Sequence, residues 1–585
     1  MSDTPSATLE IKQPKDLAAA LGMVNVQING VWHQFRKGTR MIEACRQVGV
    51  AVPHYCYHPK LTPSGNCRMC LVQIGTPPRP APGQEPQRDS LGYEPIIWSP
   101  RAVIACANTV SENMGICTTS ELVESCQAGV MEFLLINHPL DCPICDQAGE
   151  CRLQENSIGH GRGVSRFADM KVKKPKNVAI GPRIRLDDER CIMCSRCIRF
   201  MDEVAGDPVL GFTQRGTHTT LTVYPGRLLD SNYSLNTVDL CPVGALTASD
   251  FRFQMRVWFL KETPSIDVNC GTGTNITLWT RENTIHRITP RRNNDVNSDW
   301  MPDSHRLNFH HIDGAARLTE PLAKAGTQHR PATWAEALQI IAPQLKAVAP
   351  EQIAIIGSGR MTNEELLLTR LLATKLGTPH LALVPRIGEP DGLLIAADRN
   401  PNTIGAKLIL ATEDPYASLD AIRSAVRSGD ISALIVLGED LITDAGFTPA
   451  DLAKPTYLLH THLLANPTAT AAHLVLPAAA FSEKRGSMVN LSGRLQRLNP
   501  ATARPGQARD DWQILADLIL AITGEPSGYS QIEDIFTELA ATLPAFNGLS
   551  LEKIPPVGIP IIDTGYQIPL LVTERARIAA GIVNG

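Results

Sequence analysis

The chain has 585 residues, too many for one hydrophobic core, and its length calls for about three to five domains. Its formal charge of −4 is spread over mixed acidic and basic residues without a basic block, which excludes a nucleic-acid footprint. No apolar run approaches the ~20 residues of a membrane span, and the polar residues before Met23 lack a secretory or twin-arginine pattern.

In chain order, Val24, Val26 and Ile28 alternate as a strand, Asn29-Gly30 makes a hairpin turn, and residues 31–35 return as a second strand. A helix is expected over about 39–48. This ββα start before a cysteine-rich loop resembles the β-grasp fold of plant-type [2Fe–2S] ferredoxins. The proline-rich stretch 75–95 reads as a surface insertion without a core of its own. Residues 111–152 read as helical, with Val123, Val130, Phe133 and Leu134 on an apolar face, until His138-Pro139 breaks the pattern. Past Thr263, short apolar runs alternate with helical stretches. The runs 353–356, 408–410, 434–437, 457–459 and 474–476 are the expected strands of a doubly wound α/β domain. Thr362-x-x-Glu365 is a capping box for the helix after the first of them. The expected segments are 1–23, 24–110, 111–172, 173–262 and 263–585, a multidomain combination of α/β and α+β folds.

Fourteen of the 15 cysteines lie before residue 242, the last is Cys270, and none follows. An extracellular disulfide framework would be neither so lopsided nor odd in number, so reduced, metal-bound thiols in a cytoplasmic compartment are expected. Eleven cysteines and one histidine fall into three four-donor sets. Cys56, Cys67, Cys70 and Cys106 form C-x10-C-x2-C-x35-C, a stretched relative of the plant-type spacing, with Gly65 helping the loop bend. Structural zinc stays open for this set. His138, Cys142, Cys145 and Cys151 form H-x3-C-x2-C-x5-C. Here His138 is the economical fourth ligand, zinc is again the competitor, and imidazole in place of thiolate raises the reduction potential on charge alone. Cys191, Cys194, Cys197 and the distant Cys241-Pro242 match bacterial two-cluster ferredoxins, where the last cysteine of one run serves the other run's cluster. The positions due to hold the twin cluster carry Met201, Ser231, Ser234 and Thr237. One [4Fe–4S] set is complete and its twin is missing throughout, a pattern that zinc does not explain.

These sets lie in HYCYHPKLTPSGNCRMCLVQI, NHPLDCPICDQAGECRLQ, RCIMCSRCIRF and LCPVGALT, followed by DVNSDWMPD and EKRGSMVNLSGRLQ. In that order, over nearly the whole chain, they resemble the large iron–sulfur (G) subunits of the proton-pumping NADH–quinone oxidoreductases, the cluster-bearing subunits of respiratory complex I. The resemblance implies an electron relay from a flavin-bearing NADH subunit towards quinone, with one [2Fe–2S] and two [4Fe–4S] clusters. It implies a peripheral subunit on the cytoplasmic side of a bacterial inner membrane, in contact with the flavin/NADH-binding and other peripheral-arm subunits and reaching the membrane arm through them. It also implies a molybdopterin-oxidoreductase-like C-terminal domain that is catalytically silent.

Some relatives carry a further [4Fe–4S] cluster on four cysteines at the start of that domain; with Cys270 alone there, none is expected. A molybdenum cofactor is not expected either, since no cysteine ligand follows residue 270. Gly357-Ser358-Gly359 lacks the glycine that a dinucleotide fingerprint needs at 362 and reads as a tight turn. Glu439-Asp440 reads as a pair of solvated loop acids, and Cys45, Cys117 and Cys126 as packing residues. Arg68, Met69, Ile192, Met193 and Arg196, between or beside ligands, are expected to act through their backbones. The alternative function is the redox subunit of an NAD-linked hydrogenase or formate dehydrogenase, which would need further metal ligands after residue 270.

Overall fold

The computed structural model describes residues 22–80, 82–83, 85–90 and 92–584, so the expectations for the first 21 residues lie outside the described residues. The chain divides into two compact units, Met1–Trp258 with Glu574–Gly585, and Phe259–Thr573. Among the described residues no helix is long and apolar enough to cross a membrane.

In the first unit, β1 (Met23–Ile28) and β2 (Val31–Arg36) pair antiparallel with Ile28 opposite Val31. Asn29 and Gly30 take φ of 49° and 88°, the two left-handed positions that a tight hairpin turn requires. Helix α1 (Met41–Gln47), β3 (Leu71–Thr76), β4 (Ile97–Ile104) and β5 (Met114–Cys117) complete a sheet of order β2-β1-β5-β3-β4. With β1 and β5 parallel, this is the β-grasp arrangement. Val26, Ile28, Val72 and Ile116 of the sheet pack with Met41, Ile42, Ala44 and Cys45 of α1.

The insertion after β3 is anchored to the sheet, where the buried Tyr93 stacks on Trp32 of β2 with centroids 4.3 Å apart. One expectation is corrected in this unit. The segment from Ser111 does not begin as helix: it enters the sheet as β5, which puts Cys117 on a strand. Helix α2 (Glu121–Leu135) starts where the Ser120 hydroxyl accepts the Val123 N–H. Pairing with β1 and β3 on either side decides a short apolar run whose local pattern fits both states. Beyond α2 lie α3 (Arg152–His160) and α4 (Arg196–Glu203).

The second unit is built on a seven-stranded sheet. Its parallel strands are Leu474–Pro477, Tyr457–His462, Ala433–Leu437, Ile353–Ser358 and His380–Val384, in that spatial order, with the hairpin Leu322–Ala325 and Gln328–Pro331 along the first edge. Alternate residues feed two cores: Ile353, Ile355 and Ile435 pack on one face, Ala354, Ile356 and Leu434 on the other. Both faces are covered, as a doubly wound parallel sheet requires. The capping box is present, with the Glu365 N–H on the Thr362 hydroxyl at 3.3 Å and the Thr362 N–H on the Glu365 carboxylate at 2.8 Å. The run 408–410 is not a strand but the end of the helix Thr403–Leu410, and His380–Val384 takes the place in the sheet. Glu439 and Asp440 are not solvated either. Both are buried: Glu439 pairs with Arg386 at 2.5 Å, and Asp440 accepts the Thr468 hydroxyl at 2.6 Å.

Candidate metal centres

Members of all three donor sets meet in one apolar cluster of the first unit, while Cys70 and Cys106 of the first set lie in the neighbouring core of the β-sheet. Cys56, Cys67, Cys151 and Cys194 are buried in the shared cluster with Tyr55, Met69, Met131, Leu153, Val243 and Ala245, and Cys191 and Cys241 pack against it. In the first set the Cys56 thiol contacts Cys67 and Cys106, and Cys70 contacts Cys106. In the third, Cys197 feels the charge of Cys191, Cys194 and Cys241, Cys191 that of Cys194 and Cys241, and Cys241 that of Cys194. In the second, Cys142, Cys145 and Cys151 neighbour one another, with Cys142 exposed. His138 shares the guanidinium of Arg190 with Cys145.

The electrostatics fit a group that carries positive charge. Burial pushes every thiol of the third set up, Cys241 to about 11, and neighbouring thiols push the same way. Against that, a repeated backbone bond favours the thiolate. The N–H two residues on reaches the sulfur of Cys67, Cys145, Cys151, Cys191, Cys194 and Cys241, from Met69, Gln147, Leu153, Met193, Arg196 and Val243. Arg68, Met193 and Ser195 turn the ligand loops with φ of 59°, 52° and 62°, the conformation that forms N–H-lined nests for anionic groups. Gly65, at 66°, bends the first loop. Among the described residues the buried Nδ1 of His138 has no hydrogen-bond partner, and burial, with Arg190 and Lys171 nearby, takes the imidazole down to about 4. A neutral ring with a free lone pair suits a ligand to soft or borderline metal.

Arginines tie the sets together. Arg196, on α4, donates to the carbonyls of Tyr57 and Leu240, and Arg199 donates to those of Cys56 and Thr62. The Asn66 amide reaches the Met193 carbonyl at 2.9 Å, so the first ligand loop is fastened to the third. Arg256 holds the carbonyls of Pro143 and Cys145, and Arg190 bridges Asp141 at 3.0 Å and Asp187 at 3.2 Å. The buried ring of Tyr55 feels both Cys67 and Cys151. Gly244 lets Cys145 approach, since a Cβ there would overlap its sulfur. Beside the backbone N–H that reaches Cys194, Arg196 also contributes a buried side chain that joins Tyr57 and Leu240.

A further clamp holds the span between Cys56 and Cys67. Lys60 and Glu574 form an ion pair at 2.5 Å with side chains 3% and 9% exposed. Asn584 donates to the Tyr57 hydroxyl at 2.7 Å, and Glu203 accepts from Arg577 and from the Thr62 N–H. Where a twin cluster would need ligands, Met201, Ser234 and Thr237 are buried. The Thr237 hydroxyl donates to the Ser234 carbonyl, and Arg183 donates to the carbonyls of Asp230 and Ser231. Spacing alone singled out the three donor sets but not Tyr55, Arg190, Arg199, Gly244 or Arg256. The one local signal for them is their position within or beside the cysteine runs.

Known proteins agree with this layout. Family models match in chain order: a 2Fe-2S iron-sulfur cluster binding domain (22–121), the NADH-ubiquinone oxidoreductase-G iron-sulfur binding region (127–166), and the ferredoxin-like domain of NADH-quinone oxidoreductase subunit 3 (181–247). They are followed by an NADH-ubiquinone oxidoreductase NDSU1/NuoG-like 4Fe-4S domain (260–310) and a molybdopterin oxidoreductase model (317–392 and 396–521). The chain is 30% identical to the G subunit of NADH-quinone oxidoreductase from Rickettsia felis, over 91% of this chain and 92% of that protein. It is 30% identical to the NADH-ubiquinone oxidoreductase 75 kDa subunit of Reclinomonas americana, over 89% and 91%. The 78 kDa mitochondrial subunit of Neurospora crassa is also 30% identical, over 90% and 84%.

Proposed function

Because the chain belongs to the family of NADH-quinone oxidoreductase G subunits, the electron-transfer subunits of complex I, we propose that its three donor sets hold the redox centres of that relay. Cys56, Cys67, Cys70 and Cys106 take a [2Fe–2S] cluster. His138, Cys142, Cys145 and Cys151 take one [4Fe–4S] cluster, and Cys191, Cys194, Cys197 and Cys241 another. When bound, such clusters accept and release single electrons at potentials set by charge, hydrogen bonds and burial. The chain's own residues do the tuning. Backbone N–H groups at the sulfurs stabilise added negative charge, the apolar cluster keeps water out, and Arg196 and Arg199 fix the first set against the third. The observation that carries this reading is that donors from all three sets share one buried apolar cluster, in which Tyr55 lies near both Cys67 and Cys151.

The second unit serves as scaffold. At the carboxyl end of its central strands Arg386 is already paired with Glu439 and Asp444, at 2.5 and 2.6 Å, and no cysteine stands there for molybdenum. The subunit sits peripherally on the cytoplasmic side of the membrane, takes electrons from the flavin/NADH-binding subunit, and reaches the membrane arm through partners. The test is to purify the complex from gently solubilised membranes with Cys70→Ala, Cys145→Ala or Cys194→Ala in this chain. Each substitution should remove one paramagnetic iron signal and depress NADH-dependent quinone reduction, with no molybdenum in any preparation. Zinc in place of iron, or hydrogen or formate oxidation instead of quinone reduction, would overturn the assignment.

A further inference from the structure

The stretch 260–310, matched by a model described as a 4Fe-4S domain, contains a single cysteine, Cys270, and so lacks the thiolates of a cluster. The fold places a different donor set around that cysteine. Asp267 and Cys270 lie in the loop joining the strands Lys261–Ile266 and Asn275–Arg281, and His305 lies on the short helix Asp303–Arg306. All three are buried, and one donor atom of each lies within 4.8 Å of the other two. Asp267 is oriented by Asn269, whose backbone N–H and side-chain amide donate to Oδ1 at 3.1 and 2.6 Å. Its Oδ2 faces His305 Nδ1 at 2.6 Å. The Cys270 sulfur makes a long contact, 3.7 Å, with the Leu394 carbonyl. The Cys270 sulfur also receives the Thr272 and Ala396 N–H groups, contacts that favour a thiolate. A buried His–Asp pair accounts for two of these residues and leaves the adjacent soft donor outside it.

We propose that Asp267, Cys270 and His305 bind a single zinc ion in this segment, with a water as fourth donor. One thiolate, one imidazole and one carboxylate form a borderline-soft set, and a tetrahedral ion at about 2.0–2.3 Å from each sets the donors roughly 3.3–3.8 Å apart. On binding, zinc–sulfur, zinc–nitrogen and zinc–oxygen bonds form. The thiol proton and the proton shared by His305 and Asp267 leave to solvent. With every protein ligand buried, the site is structural: it fastens the loop after Lys261–Ile266 to the helix Asp303–Arg306. This inference goes beyond the electron-relay reading and stands without it.

The experiment uses the full-length, cluster-loaded chain produced with zinc in the medium, its metals counted and its zinc examined by X-ray absorption. The expected result is one zinc per chain with one sulfur at about 2.3 Å and the remaining ligands nitrogen or oxygen. Cys270→Ala and His305→Gln should each abolish that zinc while iron content and the paramagnetic signals stay unchanged. An unmodified chain without zinc would overturn the proposal. So would a shell of three or four sulfurs, which places zinc in a cluster site, or zinc retained by Cys270→Ala. The absorption spectrum of the unmodified chain decides the matter even if a variant fails to fold.

Discussion

Replacing Lys60 with methionine takes the ion-pair partner away from a buried carboxylate. Lys60 and Glu574 stand 2.5 Å apart with 3% and 9% of their side chains exposed, so water compensates neither. Removing one member of such a pair costs about 3–5 kcal/mol, because the remaining charge stays desolvated without its partner. At 1.4 kcal/mol per factor of ten, the opened form of the span between Cys56 and Cys67 becomes roughly two to three and a half orders of magnitude more populated. Replacing both residues, Lys60→Met with Glu574→Leu, removes the penalty together with the attraction and should fall within about 1 kcal/mol of the natural chain. Native-state hydrogen exchange over residues 57–66 of the cluster-loaded chain reads the opening, and urea unfolding reads the global cost. The reasoning fails if the single variant loses less than about 1 kcal/mol, or if the double variant loses as much as the single.

Three more expectations follow from particular contacts. Gly244→Ala puts a Cβ into the Cys145 sulfur and within 3.2 Å of Gln147 Cβ. Overpacking of that kind costs about 1–3 kcal/mol, so the iron signal of the second set should vanish while that of the third persists; undiminished iron would contradict it. His138→Cys supplies a fourth thiolate, and redox titration should find iron retained at a more negative potential, whereas an unmoved potential would remove His138 from the ligand set. His460 is fully buried, and burial takes its imidazole down to about 3 in the folded state, against ~6.5 unfolded. The unfolded chain therefore takes the proton first. The stability contribution is complete above about pH 6.5 and falls by ~1.4 kcal/mol per unit down to about pH 3. Urea midpoints at pH 7 and pH 5 should show the loss, and His460→Gln should remove about 2 kcal/mol of it; identical pH profiles would refute the assignment.

What the sequence made legible was local. The Asn29-Gly30 turn and the Thr362/Glu365 cap involve residues a few positions apart, and each stands in the structure as read. The braces were hidden because they join distant residues: Arg196 meets the Tyr57 carbonyl across 139 positions, and Tyr55 meets Met131 across 76. The run 408–410 misled because three apolar residues carry no period, and the helix Thr403–Leu410 absorbed them. Glu439 and Asp440 misled for the opposite reason, since acids at a strand end are ordinarily wet. Arg386 and Thr468, which make their burial tolerable, come from elsewhere in the chain.

The ion pair at Lys60 also imposes a schedule on biosynthesis. Its partner is made 514 residues later, so at ~5–20 residues per second the ribosome needs about 25–100 s between them. For most of that interval, from the synthesis of Cys106 onward, the span between Cys56 and Cys67 lacks its last fastening although every thiol of its set is already made. The window in which iron can be delivered to a slack site, or a half-made chain intercepted by a chaperone, therefore closes only when the residues from Glu574 onward have emerged.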